Sequence, residues 1–166
     1  MLGRGAALEG KEVLQTQAYG AESRGSLTKS EVIVSDSKIG FPAVRRCDIL
    51  VTMSQEATDV LCPDLGETST LIVDSTNVKG IPKTRAKVLG YPVTEVSRRV
   101  FGDPMYANMI ILGILVKLTA LVSVASMTAA ISQGTSNRTA ETNVRAFREG
   151  LQLCKSPSIA QQPESE

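Results

Sequence analysis

The sequence predicts an α/β protein with three layers, α/β/α, around a mixed and partly parallel sheet. Apolar runs of strand length occur at residues 31–35, 48–53 and 70–74, and all three are rich in Val, Ile or Leu. Such short, continuous runs are typical of strands that are covered on both faces. Segments with helical spacing lie between and after them. Strands that alternate with helices in this way indicate a sheet with helices on its faces.

The N-terminal part predicts one helix and two strands. Residues 2–9 are rich in Ala and Leu and predict the last turns of a helix that Gly10 closes. A short strand is predicted at residues 13–17 and a second one at residues 31–35. Because the second strand is apolar on successive residues, we expect both strands to lie deep in one sheet.

The middle of the chain predicts a βαβ unit. Strand 48–53 is followed at once by Ser54, which can cap a helix that continues to residue 61 and stops at Pro63. Strand 70–74 comes next. The whole segment is close to the roughly 30 residues of a βαβ unit, whose crossover connection makes the two strands parallel.

The C-terminal part predicts mainly helices. Residues 75–90 are rich in loop-forming residues, with a short edge strand near residues 87–89. Helices are predicted at residues 94–101 with Thr94 as the cap, 104–119, 123–133 and 139–154. The polar tail, residues 155–166, is expected to be disordered, so that a single domain spans residues 1–154.

Composition excludes several kinds of chemistry. With 18 basic and 17 acidic residues, the chain lacks the charge excess of a nucleic-acid-binding protein. Histidine is absent, and Cys47, Cys62 and Cys154 are far apart, so we expect no catalytic residue and no metal site in this chain. The uncharged run at residues 105–116 is too short to span a membrane. We therefore expect a cytoplasmic protein.

The connection between the first two strands is a candidate ligand loop. Gly20 and Gly25 allow positive φ or close approach of a ligand to the backbone. Tyr19 offers an aromatic ring with a hydroxyl, and Arg24 offers a planar guanidinium that suits phosphate or carboxylate. The alternative is a solvated hairpin loop in which Glu22 and Arg24 form a weak ion pair.

Ser54 is a second candidate. It lies where a strand ends and a helix begins, at the carboxyl edge of the predicted sheet. Open α/β folds bind ligands at this edge, and helix amides favour anions there. The same serine would be present for helix capping alone, so both interpretations stay open.

Several motifs follow one another along the chain. They are A-A-L-E-G at residues 6–10, T-Q-A-Y-G-A-E-S-R-G at 16–25, S-E-V-I-V-S-D at 30–36, D-I-L-V-T-M-S-Q-E-A at 48–57, A-N-M-I-I-L-G at 107–113 and N-V-R-A-F-R-E-G at 143–150. The specific part is Y-G-x-E-x-R-G followed by S-E-V-x-x-S-D. Through these motifs the chain resembles the gamma subunit, or gamma domain, of the 2-oxoacid:ferredoxin oxidoreductases, which include the pyruvate, 2-oxoisovalerate, 2-oxoglutarate and indolepyruvate enzymes.

The chain departs from this family pattern in two places. Members begin with a strand and a G-x-G-G-Q-G loop ahead of the first helix, whereas this sequence opens inside that helix at Met1. Either the start of this sequence is trimmed or mis-assigned, or the first strand of the sheet is missing in this member, which would leave an exposed sheet edge. Ser26 stands where the family has another glycine, which puts close backbone approach at this position in doubt.

The resemblance implies a subunit that has no activity alone. The whole enzyme oxidatively decarboxylates a 2-oxoacid on thiamine diphosphate, passes electrons through iron–sulfur clusters to ferredoxin and hands the acyl group to coenzyme A. By the same resemblance, thiamine diphosphate, Mg and the clusters belong to partner chains. These are the alpha and beta subunits, with a delta or ferredoxin-like subunit as a further candidate.

For this chain, the resemblance implies that it helps to close the active site and to position coenzyme A, while it holds no cofactor alone. The residues expected to contact coenzyme A are Tyr19, Gly20, Glu22, Arg24, Gly25, Ser26 and Ser54. Two alternatives stay open: a stand-alone nucleotide- or coenzyme-binding module, and a purely structural assembly subunit whose loop docks against another chain.

Overall fold

The computed structural model describes residues 1–19 and 28–154. The chain forms two compact units: residues 1–45 with 119–144, and residues 46–118 with the segment from 145 onward. The predicted tail lies outside the described residues, and the single domain over residues 1–154 stays a prediction.

The first unit begins with a helix and a β-hairpin. Helix α1 spans Leu2–Leu8, and Gly10 follows it at a φ of +77°. Strands β1 (Glu12–Tyr19) and β2 (Thr28–Ser35) pair antiparallel over their whole length, from Glu12 opposite Ser35 to Tyr19 opposite Thr28. Both predicted strands are present and extend further toward the loop than predicted.

The expected deep burial of these strands is wrong. Val32, Ile33 and Val34 are only half-buried, and the outer part of β2, Thr28–Ser30, is exposed. The physical reason is that β1 and β2 form a sheet of their own, so they are not covered as a central strand would be. Helix α1 covers one face near Val13, because a Cβ on Gly3 would lie 2.9 Å from the Val13 Cγ1 atom.

Helix α5 (Val124–Gly134) completes the first unit. Ser123 caps it by accepting a hydrogen bond from the Ser126 N–H at 3.1 Å. Glu9, at the end of α1, accepts a hydrogen bond from the Ser123 N–H at 2.7 Å. Hydrogen bonds from Ser123 hold the pKa of the Glu9 carboxyl below its ordinary value of 4.5. The two helices are thus joined at their ends as well as along their sides.

The second unit is built on a parallel sheet. Strands β3 (Ile49–Thr52), β4 (Thr70–Asp74) and β5 (Lys87–Tyr91) are arranged in the order β3-β4-β5. Both neighbouring pairs are parallel, which confirms the predicted βαβ unit. In the central strand, residues 71–74 are completely buried. The mixed α/β class is confirmed, with the parallel and antiparallel pairings in separate sheets.

The two faces of β4 contribute to two apolar clusters. Ile72 packs with residues of helix α3 (Val93–Phe101), helix α4 (Ala107–Thr119) and helix α6 (Asn137–Leu153), including Val96, Ile110 and Ala146. Leu71 and Val73, on the opposite face, pack with Cys62, Leu65, Val78, Ile81 and Ala86. Because side chains alternate along β4, helices α3, α4 and α6 cover one face of the sheet. Helix α2 (Gln55–Leu61) and the loop that follows it lie on the other face.

Helices α4 and α6 touch backbone to backbone. A Cβ on Gly150 would overlap the carbonyl oxygen of Ile110, and a Cβ on Gly113 would overlap that of Phe147. Only glycine fits at both positions, because the next smallest side chain needs the space that the opposite backbone occupies.

The predicted cap of α3 is wrong. The helix begins at Val93 after Pro92, and the Glu95 N–H in its first turn donates a hydrogen bond to the Thr76 hydroxyl at 3.1 Å rather than to Thr94. The Thr94 hydroxyl instead donates a hydrogen bond to Asp74 Oδ2 at 2.5 Å, which removes it from the helix end. The other predicted helices are present, although the segment at Pro104–Tyr106 is a 3-10 turn that leads into α4. Over residues 1–19 and 28–154, no helix combines the length and the apolar character that crossing a membrane requires.

Candidate functional site

Ser54 marks the carboxyl edge of the parallel sheet. It immediately precedes α2, and its Oγ accepts a hydrogen bond from the Ala57 N–H at 3.2 Å. Below it, the Thr52 and Thr58 hydroxyls share a buried hydrogen bond of 2.8 Å, which joins β3 to α2. The capping role of Ser54 is therefore visible in the structure, while contact with a ligand stays a prediction.

Asp74, at the same edge, is the centre of a polar network that the sequence analysis missed. Its side chain is completely buried. Its oxygens accept hydrogen bonds from the Thr94 hydroxyl at 2.5 Å, the Asn77 amide at 2.9 Å and the Thr76 N–H at 3.0 Å. The signal in the sequence was D-S-T-N directly after an apolar strand, in which Asp and Asn favour local hydrogen bonds with the backbone. The network fixes the first residues of the loop that follows β4.

Gln55 holds the next part of that loop. Its Oε1 accepts hydrogen bonds from the N–H groups of Lys79 and Gly80, at 2.8 Å and 3.1 Å. Its Nε2 donates to the Gly80 carbonyl at 2.7 Å and to Asp59 at 2.8 Å. The Gln55 side chain thus both accepts from and donates to the loop backbone, as a neighbouring strand does. These hydrogen bonds fix the loop at the carboxyl edge of the sheet.

The predicted ligand loop is positioned by the β-hairpin of the first unit. Because Tyr19 pairs with Thr28, the two residues that flank the loop are neighbours across the hairpin. Five of the candidate residues lie outside the described residues: Gly20, Glu22, Arg24, Gly25 and Ser26. Tyr19 is described only as the last backbone position of β1.

Ion pairs and a cross-strand hydrogen bond lie along the hairpin stem. Lys11 and Asp36 join its base at 2.8 Å. The Thr16 hydroxyl of β1 donates a hydrogen bond to Glu31 of β2 at 3.4 Å, and Lys29 pairs with Glu31 at 2.7 Å within β2. The Lys29 hydrogen bond holds the pKa of Glu31 below its ordinary range, and the Asp36 hydrogen bond raises that of Lys11. The stem belongs to the first unit, whereas Ser54 belongs to the second.

The cysteines lie apart from these places. Burial raises the pKa of the Cys62 thiol, which keeps it in the protonated, less reactive form. Cys154 lies 4.0 Å from the hydroxyl of the buried Tyr91, and burial together with this thiol raises the pKa of Tyr91 to about 12. Within the part of the chain that the structure describes, no three His, Cys, Asp or Glu side chains are grouped so that they could hold a metal ion.

Comparison with known proteins identifies the family. The family model described as pyruvate ferredoxin/flavodoxin oxidoreductase matches residues 1–153. This chain belongs to that family. A curated relative from Methanocaldococcus jannaschii, named 2-oxoglutarate synthase subunit KorC, is 40% identical over 158 residues, which span 93% of this chain and 84% of the relative. The predicted resemblance to gamma-type oxidoreductase subunits is thus confirmed.

Solved structures of this oxidoreductase family share the fold. The gamma subunit of a keto/oxoacid ferredoxin oxidoreductase from Geobacter sulfurreducens aligns with a TM-score of 0.82 at 32% identity and covers 93% of this chain and 87% of its own. A 2-oxoglutarate:ferredoxin oxidoreductase from Magnetococcus marinus, described with 2-oxoglutarate, coenzyme A and succinyl-CoA bound, aligns with a TM-score of 0.81 at 18% identity. The match covers 98% of this chain but 29% of that longer chain, and it shows the fold alone.

Proposed function

We propose that this chain is the gamma subunit of a heteromeric 2-oxoacid:ferredoxin oxidoreductase, in which it helps to close the active site and to position coenzyme A. The observation that carries the proposal is the match, over nearly the whole chain, to relatives that are named as single subunits of 2-oxoglutarate synthases. These relatives favour 2-oxoglutarate as the oxoacid that the whole complex oxidises.

The composition of the chain supports a division of labour between subunits. It contains no histidine and only three cysteines, one of which is completely buried. Three separated cysteines cannot hold an iron–sulfur cluster. In the proposed complex, as the resemblance implies, the clusters and thiamine diphosphate with its Mg belong to alpha and beta subunits, and a delta or ferredoxin-like subunit is the further candidate.

The hairpin loop is the proposed coenzyme A contact. Coenzyme A carries phosphate groups, and a guanidinium binds phosphate through two parallel hydrogen bonds. We assign this guanidinium to Arg24, and the proposed contact also includes Tyr19, Gly20, Glu22, Gly25 and Ser26. The paired stem supports this role because it fixes both ends of the loop without covering its outer strand residues.

Ser54 is the second proposed contact. Its Oγ accepts a backbone hydrogen bond through one lone pair, so its proton can still be donated to a phosphate oxygen. The contact is thus expected to contribute less to coenzyme A binding than the charged Arg24 does.

The test is kinetic and uses the complex. The chain is coexpressed with the alpha and beta subunits that its own genome encodes, and reduction of ferredoxin is followed with 2-oxoglutarate as coenzyme A is varied. Losing a charge-assisted hydrogen bond costs about 1.5–3 kcal/mol, so Arg24→Gln is expected to raise the KM for coenzyme A about 10- to 100-fold in a complex that still assembles. Ser54→Ala should raise it by less than about tenfold.

Arg46→Gln is the matched control, since Arg46 is 73% exposed and its pairing with Asp48 is a long 3.6 Å. An Arg24→Gln complex with an unchanged KM for coenzyme A would contradict the loop's role. If that variant prevents assembly, the loop serves as a structural dock between chains. If the isolated chain binds coenzyme A tightly with no partner, it is a stand-alone coenzyme-binding module.

A further inference from the structure

The loop that follows β4, residues 75–80, is hydrogen-bonded to the chain on both sides of Ser54. On one side, the Asn77 amide donates a hydrogen bond to the Met53 carbonyl at 3.3 Å. On the other side, the Gln55 side chain accepts two hydrogen bonds from N–H groups of the same loop, at 2.8 Å and 3.1 Å. Met53 and Gln55 are the two neighbours of Ser54 in the sequence, so one loop fixes both of them.

Asp74 sets the orientation of the Asn77 amide. The amide nitrogen lies 2.9 Å from Asp74 Oδ2 and 3.2 Å from the hydroxyl oxygen of Thr94, which donates its own proton to the same carboxylate. A carboxylate and a carbonyl only accept hydrogen bonds, so the nitrogen of the amide, and not its oxygen, faces Asp74 and Met53. Asp74 thus holds the Asn77 N–H groups toward the residue that precedes Ser54.

The hydrogen bond to Met53 acts on the backbone of Ser54. The Met53 carbonyl belongs to the same planar peptide unit as the Ser54 N–H, so fixing one end of that unit fixes the other. The Ser54 backbone is extended, at φ −138° and ψ 155°, and its Oγ accepts the Ala57 N–H at 3.2 Å. The position of this hydroxyl at the carboxyl edge therefore depends on Asn77 and, through it, on Asp74.

Stability alone does not explain a carboxylate at position 74. Asp74 is completely buried, and removing a carboxylate from water has a large cost in free energy that an apolar side chain would avoid. In residues 1–19 and 28–154, no buried side-chain nitrogen or oxygen lacks a hydrogen-bond partner. A buried polar network that is fully satisfied in this way fixes one geometry, which is what a binding group at the edge of the sheet requires.

We propose that Asp74 and Asn77 are positioning residues for coenzyme A, which hold Ser54 so that its hydroxyl can donate a hydrogen bond to a phosphate oxygen. Their effect passes through the peptide unit between Met53 and Ser54, so neither side chain has to touch the ligand. This inference rests on the proposed function, in which Ser54 contacts coenzyme A.

The test is a double-mutant cycle in the assembled complex, with the KM for coenzyme A and kcat measured separately. Asn77 is exposed, so Asn77→Ala should fold. It is expected to raise the KM about two- to tenfold at unchanged kcat, which is the scale of one neutral hydrogen bond. In the Ser54→Ala chain the same substitution should raise the KM no further, because both residues act through one hydroxyl.

Ser69→Ala is the matched control. Ser69 lies at the opposite edge of the same sheet, where its buried hydroxyl donates a hydrogen bond to the Cys47 carbonyl at 2.6 Å. It joins the segments that precede β3 and β4, as Asn77 joins the segments that follow them. Both variants should lower the melting temperature, and Ser69→Ala should leave the KM for coenzyme A unchanged.

Two further variants test the part played by Asp74. Asp74→Asn replaces one acceptor oxygen by a donor and should raise the KM in the same way as Asn77→Ala. If that variant does not fold, Thr94→Val takes its place, since it removes the hydroxyl that bridges Asp74 and Asn77.

The cycle also separates failure of this inference from failure of the proposed function. An unchanged KM for folded Asn77→Ala, or a rise that is just as large in the Ser54→Ala chain, would overturn the positioning role. An unchanged KM for Ser54→Ala would remove the Ser54 contact and the positioning role with it, whereas Arg24→Gln tests the rest of the proposed function independently.

Discussion

The parallel sheet and the β-hairpin have similar apolar sequences but very different surroundings. In β4, Leu71, Ile72 and Val73 are completely buried between two clusters. In β2, the equally apolar residues 32–34 are half-buried, and the strand becomes fully exposed toward the loop. One apolar strand is the centre of a core, whereas the other belongs to a two-stranded sheet and is only half-buried.

This difference indicates where the chain holds its shape and where it is available for binding. In the second unit, the apolar residues of β4 are buried in the core. This packing fixes the position of the carboxyl edge of the parallel sheet. The hairpin keeps its register through backbone hydrogen bonds and the Lys11–Asp36 ion pair, and the residues of β2 nearest the loop are exposed. The proposed function, in which this chain contributes a loop to a shared active site, needs both properties.

The largest effect is expected at the helix crossing of the second unit. Gly150→Ala places a methyl group where the Ile110 carbonyl lies, so α4 and α6 must move apart. We expect a loss of about 3 kcal/mol or more, which for a chain of this size lowers the melting temperature by about 10 °C. Thermal unfolding followed by circular dichroism measures it.

Gly80→Ala is the control for this substitution. A Cβ there would lie no closer than 3.9 Å to its nearest neighbour, and the variant should melt within a few degrees of the unchanged chain. Equal melting temperatures for Gly150→Ala and Gly80→Ala would show that the two helices are not in backbone contact.

A matched pair of substitutions tests the comparison itself. Ile72→Ala removes a completely buried side chain and should cost about 3 kcal/mol, whereas Ile33→Ala in the half-buried hairpin should cost about 1 kcal/mol. Urea unfolding with the same protein preparation gives both values. Equal losses at the two positions would mean that the hairpin is as well covered as the sheet, which would contradict the difference in burial between them.

The smallest effect concerns pH and the first unit. Because hydrogen bonds from Ser123 lower the pKa of Glu9 in the folded chain, the ionised carboxylate stabilises the fold above its ordinary pKa of 4.5, and this contribution is lost as pH falls through the lowered value. Glu9→Gln should therefore be less stable than the unchanged chain near neutral pH, and the difference should shrink in acid. Urea unfolding at several pH values, with Glu141→Gln as control, would detect it; a difference that grows in acid has the wrong sign.

Local patterns predicted the second unit well. The Ser54 cap, the stop at Pro63 and the two apolar runs were sufficient to predict parallel strands, because a short crossover leaves the chain few other choices. The same kind of run at residues 31–35 predicted deep burial wrongly. Sequence shows that a strand is apolar, but coverage depends on which distant segments pack against it.

The site was predicted less completely for a similar reason. Ser54 was identified because capping is local, whereas the Asp74–Thr94 bond joins residues whose separation along the chain carries no periodic signal. Gln55 is the first residue of α2, and its local sequence gives no sign that it binds the backbone of Lys79 and Gly80, which lie 24 and 25 residues further along the chain. The glycines at positions 113 and 150 each interrupted a helical pattern, which was a signal for close packing that only the partner helix explains.

Activity measured with separated and recombined chains tests the central claim most directly. Coenzyme A-dependent reduction of ferredoxin by 2-oxoglutarate is compared for this chain alone, for the alpha and beta subunits without it, and for all of them together. The account predicts no turnover by the isolated chain and full turnover only in the complete mixture. Turnover by this chain alone, or full activity of the partners without it, would contradict the account.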